Sequence, residues 1–231
     1  MKKIGLIGGL GWVSTLEYYR LINTYIREQR GGHFAAHIIM ESLDEGEFIA
    51  RQQANPSGKV CEKMVVDAVG VLIDAGAEVI ALCANGIHRF ESAINKKYGV
   101  NIVHIAQATA DEIHRQGFHK VGLLGVKATM EGDFYKNKLS NHGVELLIPN
   151  NSERDAIHHK IITELVLNDF QNNTQMYFTK VIKQLSDSGA QGVILGCTEI
   201  PLLINSQEID GIRLFSTADI HCKAIVDHAL A

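Results

Sequence analysis

Two stretches of this sequence align without a gap. Gly76-Ala77-Glu78-Val79-Ile80-Ala81-Leu82-Cys83-Ala84-Asn85 matches Gly189-Ala190-Gln191-Gly192-Val193-Ile194-Leu195-Gly196-Cys197-Thr198. The openings of the two halves correspond too, Lys3-Ile4-Gly5-Leu6-Ile7-Gly8 with Lys120-Val121-Gly122-Leu123-Leu124-Gly125. The offsets are 117 and 113 residues in a chain of 231. An internal repeat fixes architecture before any local pattern does. Each copy holds a short apolar run of the kind that makes a strand buried on both faces, which means a parallel sheet covered by helices. The expectation is therefore α/β, two related halves whose strand tips face each other across a cleft. In that register Ala84 stands where the second half has Cys197, and Cys83 matches Gly196.

Ligands of open α/β sheets bind beyond the carboxyl ends of the strands. Val193-Ile194-Leu195 ends at Gly196, and Cys197-Thr198-Glu199 follow at the tip. There the amides and dipole of a following helix are expected to favour a Cys197 thiolate. The other reading of Cys197 is a small buried apolar residue, as most free cysteines are.

Charge narrows the partners. Against 26 acidic residues stand 22 basic ones, a net of −4, and no basic run exceeds a pair. Phosphate backbones need clustered Lys and Arg, so nucleic acid is not expected as the main partner. Cys61, Cys83, Cys197 and Cys222 are far apart and form no C-x-x-C, which indicates neither a zinc ribbon nor a disulfide framework. Reduced thiols and a cytoplasmic location follow as the simpler expectation. Met1-Lys2-Lys3 leads straight into a glycine-broken apolar run, so neither a signal peptide nor a membrane span is expected.

Along the chain, residues 2–8 read as a strand and Gly8-Gly9-Leu10-Gly11 as a tight loop. Ser14 or Thr15 is the expected cap of a helix whose apolar side carries Leu16, Tyr19, Leu21, Ile22 and Ile26. The loop lacks the third glycine and the distal acid of a dinucleotide fingerprint, which leaves an anion-receiving helix start as the alternative. Residues 37–42 read as a second strand. The polar stretch 43–58 reads as a lid or substrate-contact loop, with Arg51 and Gln52 as candidate carboxylate ligands. A helix over 59–75 ends at Gly76, and a strand over 78–82 delivers Cys83 to His88.

Asn85 can donate two amide hydrogens to a carboxylate or enolate-like oxygen, or it can serve the turn that Asn-Gly favours. His88 reads as a structural hydrogen-bonding residue. Residues 102–105 read as a strand, 107–116 as a helix, 120–125 as a strand, with Thr129 in the next loop. Further helices are expected at 131–141, at 152–168 capped by Ser152, and at 173–188. Strands are expected at 144–148 and 212–215, and a last helix carries His221. His158 and His159 are adjacent, the wrong spacing for two metal ligands on one helical face. No linker separates the halves.

The segments IGLIGGLGW-ST-YY-LIN, GLLG-TMEGDFY-L, GA-GVILGCTEI-LL and ST-IH together resemble the aspartate/glutamate racemase family, in particular its bacterial broad-specificity and L-aspartate/glutamate branch. The resemblance covers essentially the whole chain. It implies two pseudo-symmetric flavodoxin-like domains, residues 1–105 completed by 215–231 and residues 106–214, with the active site in the cleft between them. It also implies a homodimer, a small amino-acid or carboxylic-acid substrate, and no cofactor. In that family one side chain removes the α-proton and another returns a proton to the opposite face. The residues that fall on its pattern are Cys197, with Gly11, Trp12, Gln52, Asn85, Gly86, Thr129, Thr198 and Glu199 toward substrate.

The first catalytic position falls on Ala84, which cannot carry a proton, and the motif's threonine is Gly86. Cys83 is one residue early, and a strand side chain shifted by one points to the other face. Gly11, Val13, Val126 and Ser216 stand where relatives often carry Ser, Glu, Thr and Asp. Three functions fit: a racemase with Cys197 as sole thiol and water or Cys83 giving the other proton, a one-thiol enzyme such as a decarboxylase, or a non-catalytic acid-binding protein.

Overall fold

The computed structural model describes residues 1–231. It divides into two compact units, Met1–His104 with His221–Ala231, and Ile105–Ile220. The first unit runs β1 (Ile4–Gly8), α1 (Trp12–Arg30), β2 (Ile38–Ser42), α2 (Glu45–Ala54), α3 (Lys59–Asp74), β3 (Val79–Leu82), a 3-10 turn at Asn85–Phe90, and α4 (Glu91–Tyr98). The second runs α5 (Ile105–Arg115), β4 (Lys120–Leu124), α6 (Lys127–Glu131), α7 (Asp133–Ser140), β5 (Glu145–Leu147), α8 (Asn151–Thr163), α9 (Asn172–Asp187), β6 (Gly192–Leu195), α10 (Ile200–Leu203), β7 (Glu208–Ile209) and β8 (Ile212–Ser216). The last helix, α11 (Thr217–Leu230), carries the chain back into the first unit. No helix is long and apolar enough to cross a membrane.

The repeat is written into the hydrogen-bond register. The first sheet has order β2-β1-β3, and the second contains the same order as β5-β4-β6, extended by β8 and β7. Ile4 pairs with Val79 and Ile7 with Leu82, while Val121 pairs with Gly192 and Leu124 with Leu195, each a matched pair of the repeat. At the strand tips Cys83 N donates to Ile7 O at 2.8 Å, and Gly196 N donates to Leu124 O at 2.6 Å. Gly76 and Gly189, matched in sequence, both turn the chain at positive φ, 80° and 96°, where a Cβ would be strained. A Cβ at Gly5 would come 2.7 Å from Ala77, and one at the matched Gly122 would come 2.8 Å from Leu185. β1 is buried along its length and β4 from Val121 to Leu124, as helices on both faces of a parallel sheet require.

Several local expectations are corrected. Residues 45–54 are a helix rather than a lid loop, because Asp44 caps them by accepting from Glu47 N at 2.9 Å. Residues 102–105 are not a strand: only Val103 bridges, to Ala81, and α5 begins at Ile105. Helix α1 starts at Trp12 with Gly11 as N-cap, so Ser14 and Thr15 lie inside its first turn. Its buried side is Tyr18, Leu21, Ile22 and Ile26, whereas Leu16 and Tyr19 are exposed.

Asn150, not Ser152, caps α8, in a reciprocal capping box with Glu153. Thr129 lies in α6 rather than a loop, and residues 131–141 break at Gly132 into two helices. The expected domain boundary at 215 also moves. Phe215 and Ser216 pair with Ile194 and Leu195, which keeps β8 in the second unit.

Candidate active site

In the second unit the tips of β4 and β6 meet at two glycines. A Cβ at Gly125 would lie 2.9 Å from Gly196 O, and one at Gly196 would lie 2.8 Å from Leu124 O. Thr129 of α6 packs over this junction, its methyl 3.2–3.3 Å from either added Cβ. Thr129 is fully buried and its hydroxyl has no hydrogen-bond partner. An unmatched buried hydroxyl costs about 1–3 kcal/mol, so it marks a position where a ligand acceptor would be welcome.

Beyond Gly196, Cys197 is partly exposed while Thr198 and Glu199 are buried. The Cys197 thiol donates to Glu199 Oε2 at 2.9 Å, and Thr198 Oγ1 donates to the same oxygen at 3.0 Å. This arrangement overturns the expectation of a stabilised thiolate. Helix α10 is only four residues long and begins three residues after the cysteine, so it offers the sulfur little dipole. The group facing the sulfur is a carboxylate. Loss of hydration first, and the Glu199 charge second, push the Cys197 thiol well above its ordinary range. At neutral pH the resting side chain is a thiol hydrogen-bonded to a buried carboxylate, an arrangement that can pass a proton from sulfur to Oε2.

The matched tip of the first unit has the same pattern of burial and different side chains. Ala84 is partly exposed, as Cys197 is, while Cys83 is 1% exposed, as its match Gly196 is buried. Burial pushes the Cys83 thiol up. Sealed and held protonated, Cys83 is poorly suited to proton transfer. Ala84 is extended, at φ −138° and ψ 137°, with no special backbone demand.

Ser14 Oγ donates to Cys83 O at 2.9 Å and ties α1 to this tip. Asn85, which opens the 3-10 turn, is buried, and Gly86 O accepts from Arg89 Nη1 at 3.0 Å. In the glycine loop, Gly9 N donates to Thr15 Oγ1 at 2.9 Å, and Gly11 O accepts from Thr15 Oγ1 at 3.1 Å. Trp12 is 64% exposed. Gln52 is exposed on α2, and Arg51 beside it is engaged with Glu47. No group of three or more His, Cys, Asp or Glu is arranged to hold a metal ion.

Within the second unit the structure thus brings Cys197, Thr198 and Glu199 together, and Thr129 over Gly196. Within the first it gathers Gly11, Asn85 and Gly86 around the tips of β1 and β3. The sequence reading missed the Cys197–Glu199 hydrogen bond, for which the Cys-x-Glu spacing was the available signal. It also passed over Tyr18, His104 and His221, buried in the first unit. Tyr18 and His221 are 203 residues apart, so no local spacing could join them.

Residues 7–225 match the family described as Asp/Glu/Hydantoin racemase. The chain is 40% identical to a Yersinia pestis protein assigned as an Asp/Glu racemase, whose crystal structure superposes with a TM-score of 0.91 over 100% of both chains. It is 35% identical to an aspartate racemase homologue from Pyrococcus horikoshii OT3, with a TM-score of 0.83 and 100% of both chains covered. It is also 22% identical over 231 residues to the broad specificity amino-acid racemase RacX of Bacillus subtilis, covering 99% of this chain and 98% of that one.

Proposed function

Because the chain belongs to the Asp/Glu/hydantoin racemase family, we propose that it is a cofactor-independent amino-acid racemase in which Cys197 moves the proton at Cα. The observation that carries this proposal is the Cys197 thiol, partly exposed at a strand tip and bonded at 2.9 Å to the buried Glu199 carboxylate. In the forward step the thiol proton passes to Glu199, and the thiolate takes the α-proton, leaving a carbanion conjugated with the carboxylate. Donors toward the developing charge are the Thr129 and Thr198 hydroxyls and the Asn85 amide. A proton delivered from water to the opposite face completes inversion. The sulfur keeps the α-proton it took, and Glu199 gives its proton to the hydroxide that the water leaves, which restores the resting thiol and carboxylate. Ala84 has no proton to give, so water supplies the opposite face. A homodimer in the cytoplasm is part of the same proposal.

One feature favours a second reading. The matched tips carry a thiol in the second unit and only a methyl group in the first, which suits an enzyme that protonates a carbanion from one side only, as after loss of CO2 from a malonate-like acid. The experiment that separates them is incubation with L-aspartate, L-glutamate and other amino acids in D2O. Deuterium at Cα with inversion supports the racemase. Exchange with retention supports one-base chemistry. Binding without exchange leaves an acid-binding protein, and the racemase proposal falls.

A further inference from the structure

We propose that three buried imidazoles of the first unit, His88, His104 and His221, take the place of a missing neighbour strand, with His88 as the residue that positions the Cys83–Gly86 loop. The comparison comes from the repeat itself. In the second unit β6 is flanked by β8, paired from Gly192↔Arg213 to Leu195↔Ser216, and Leu195 O receives the Thr217 hydroxyl at 2.9 Å. In the first unit the matched strand β3 is the edge of its sheet. Only Val103 bridges to it, its N–H donating to Ile80 O at 2.9 Å. The next outward carbonyl is Leu82 O, the match of Leu195 O, and it bonds His88 Nε2 at 3.1 Å.

The capping continues inward. Val103 O bonds His221 Nε2 at 2.6 Å, and His221 Nδ1 meets the Tyr18 hydroxyl at 2.8 Å. The His88 ring lies edge-on between the other two, 4.7 Å from His104 and 5.2 Å from His221 by centroid. All three rings are at most 5% exposed. A carbonyl can only accept, so Nε2 carries the proton in both His88 and His221, and the bare Nδ1 of His221 accepts from Tyr18.

A second proton on His221 would place an N–H against Tyr18 and a charge out of reach of water. The other titratable groups around the cluster are Glu91 of α4, 3.8 Å from His104 Nε2, and His228 of α11. Burial first, then His104 and His228, push His221 down to about 3 against the Val103 carbonyl, so this ring stays neutral near pH 7. His88 thus fixes the carbonyl one residue ahead of Cys83. Its consequence for substrate rests on the racemase reading of that loop.

The test is amide hydrogen exchange by mass spectrometry on the full chain. His88→Phe keeps a ring without the donor, and it is expected to lower protection at residues 84–87 at least tenfold relative to residues 197–200 of the same molecule. His88→Gln retains a donating amide and is expected to stay within threefold of wild type. With L-aspartate and L-glutamate in D2O, His88→Phe is expected to raise KM at least tenfold with kcat within threefold, and His88→Gln to restore KM.

Unchanged protection in His88→Phe overturns the positioning role whatever the activity. Lost protection alongside a wild type that exchanges no deuterium supports the positioning role and removes the racemase reading instead. Should His88→Phe fail to fold, imidazole 15N shifts of the wild type decide. Neutral Nε2–H rings at His88 and His221 at pH 6 support the proposal, and imidazolium at either overturns it.

Discussion

Acidification from pH 7 to pH 5 will weaken the first unit through His221. Its ring is fully buried, both nitrogens are engaged, and its pKa falls from an ordinary 6.5 to about 3. Below pH 6.5 the unfolded chain binds a proton that the folded chain refuses, so stability rises with pH across that window. The contribution of the neutral ring is complete above pH 6.5 and is lost progressively as pH falls toward 3. Each pH unit inside the window is worth about 1.4 kcal/mol, so moving from pH 7 to pH 5 removes about 2 kcal/mol.

His221→Gln keeps a donor for Val103 O and an acceptor for Tyr18 but cannot titrate. The comparison is urea unfolding at pH 5 and pH 7, followed through Trp12, the only tryptophan and a residue of the first unit. With a urea slope of about 2 kcal/mol per molar for a unit of this size, the wild-type midpoint falls by about 1 M more than that of the variant. Groups distant from residue 221 contribute alike in both proteins and cancel in the difference. Equal midpoint shifts in the two proteins would refute the neutral, doubly bonded ring.

Cys197→Ala abolishes deuterium exchange at Cα, whereas Cys83→Ala keeps most of it because that sulfur is sealed in the core; equal loss in both would sink the register. Glu199→Gln removes the charge that holds the neighbouring thiol protonated, so Cys197 is alkylated several-fold faster by iodoacetamide at pH 8 while exchange is lost. A slower alkylation would show that Glu199 activates the sulfur by other means. Thr129→Val replaces an unpartnered buried hydroxyl by a methyl of the same shape, and the second unit gains about 1 kcal/mol while KM rises. A loss of stability in thermal unfolding would mean that the hydroxyl is bonded after all.

The architecture was legible because the repeat is long and apolar. Gly76 and Gly189, Gly5 and Gly122, and the runs at 79–82 and 192–195 all carry constraints of backbone and packing that act locally and twice. What escaped was set by side-chain partners at a distance. Asp44 and Asn150 cap helices that the polar composition of 43–58 and the serine at 152 concealed. Leu16 and Tyr19 share the period of α1 with its core face but lie on the outer side of it.

The Cys197 environment failed at the level of sign. A strand-tip position suggests an electropositive setting, yet the nearest polar group is the carboxylate two residues on. The histidine cluster could not be read at all, since Leu82, His88, Val103, His221 and Tyr18 are gathered only by the fold.

The two strand tips share the amide bond to the central strand and the pattern of burial, so these features do not choose between one-base and two-base chemistry. That choice is confined to side chains. Ala84 sits in ordinary extended geometry, and a Cβ at Gly86 would meet nothing closer than Arg89 Nη1 at 3.6 Å. A cysteine and a threonine can therefore enter at these positions without moving the backbone, whereas in the second unit a side chain at Gly196 would collide with Leu124 O. Under the racemase proposal, Ala84→Cys combined with Gly86→Thr should then raise the ratio of inversion to exchange in D2O at least tenfold, because the variant adds a second thiol at the position matched to Cys197. If a folded double variant exchanges deuterium as the wild type does but inverts no more often, the two tips do not address opposite faces of one carbon, and the two-sided mechanism fails for this chain.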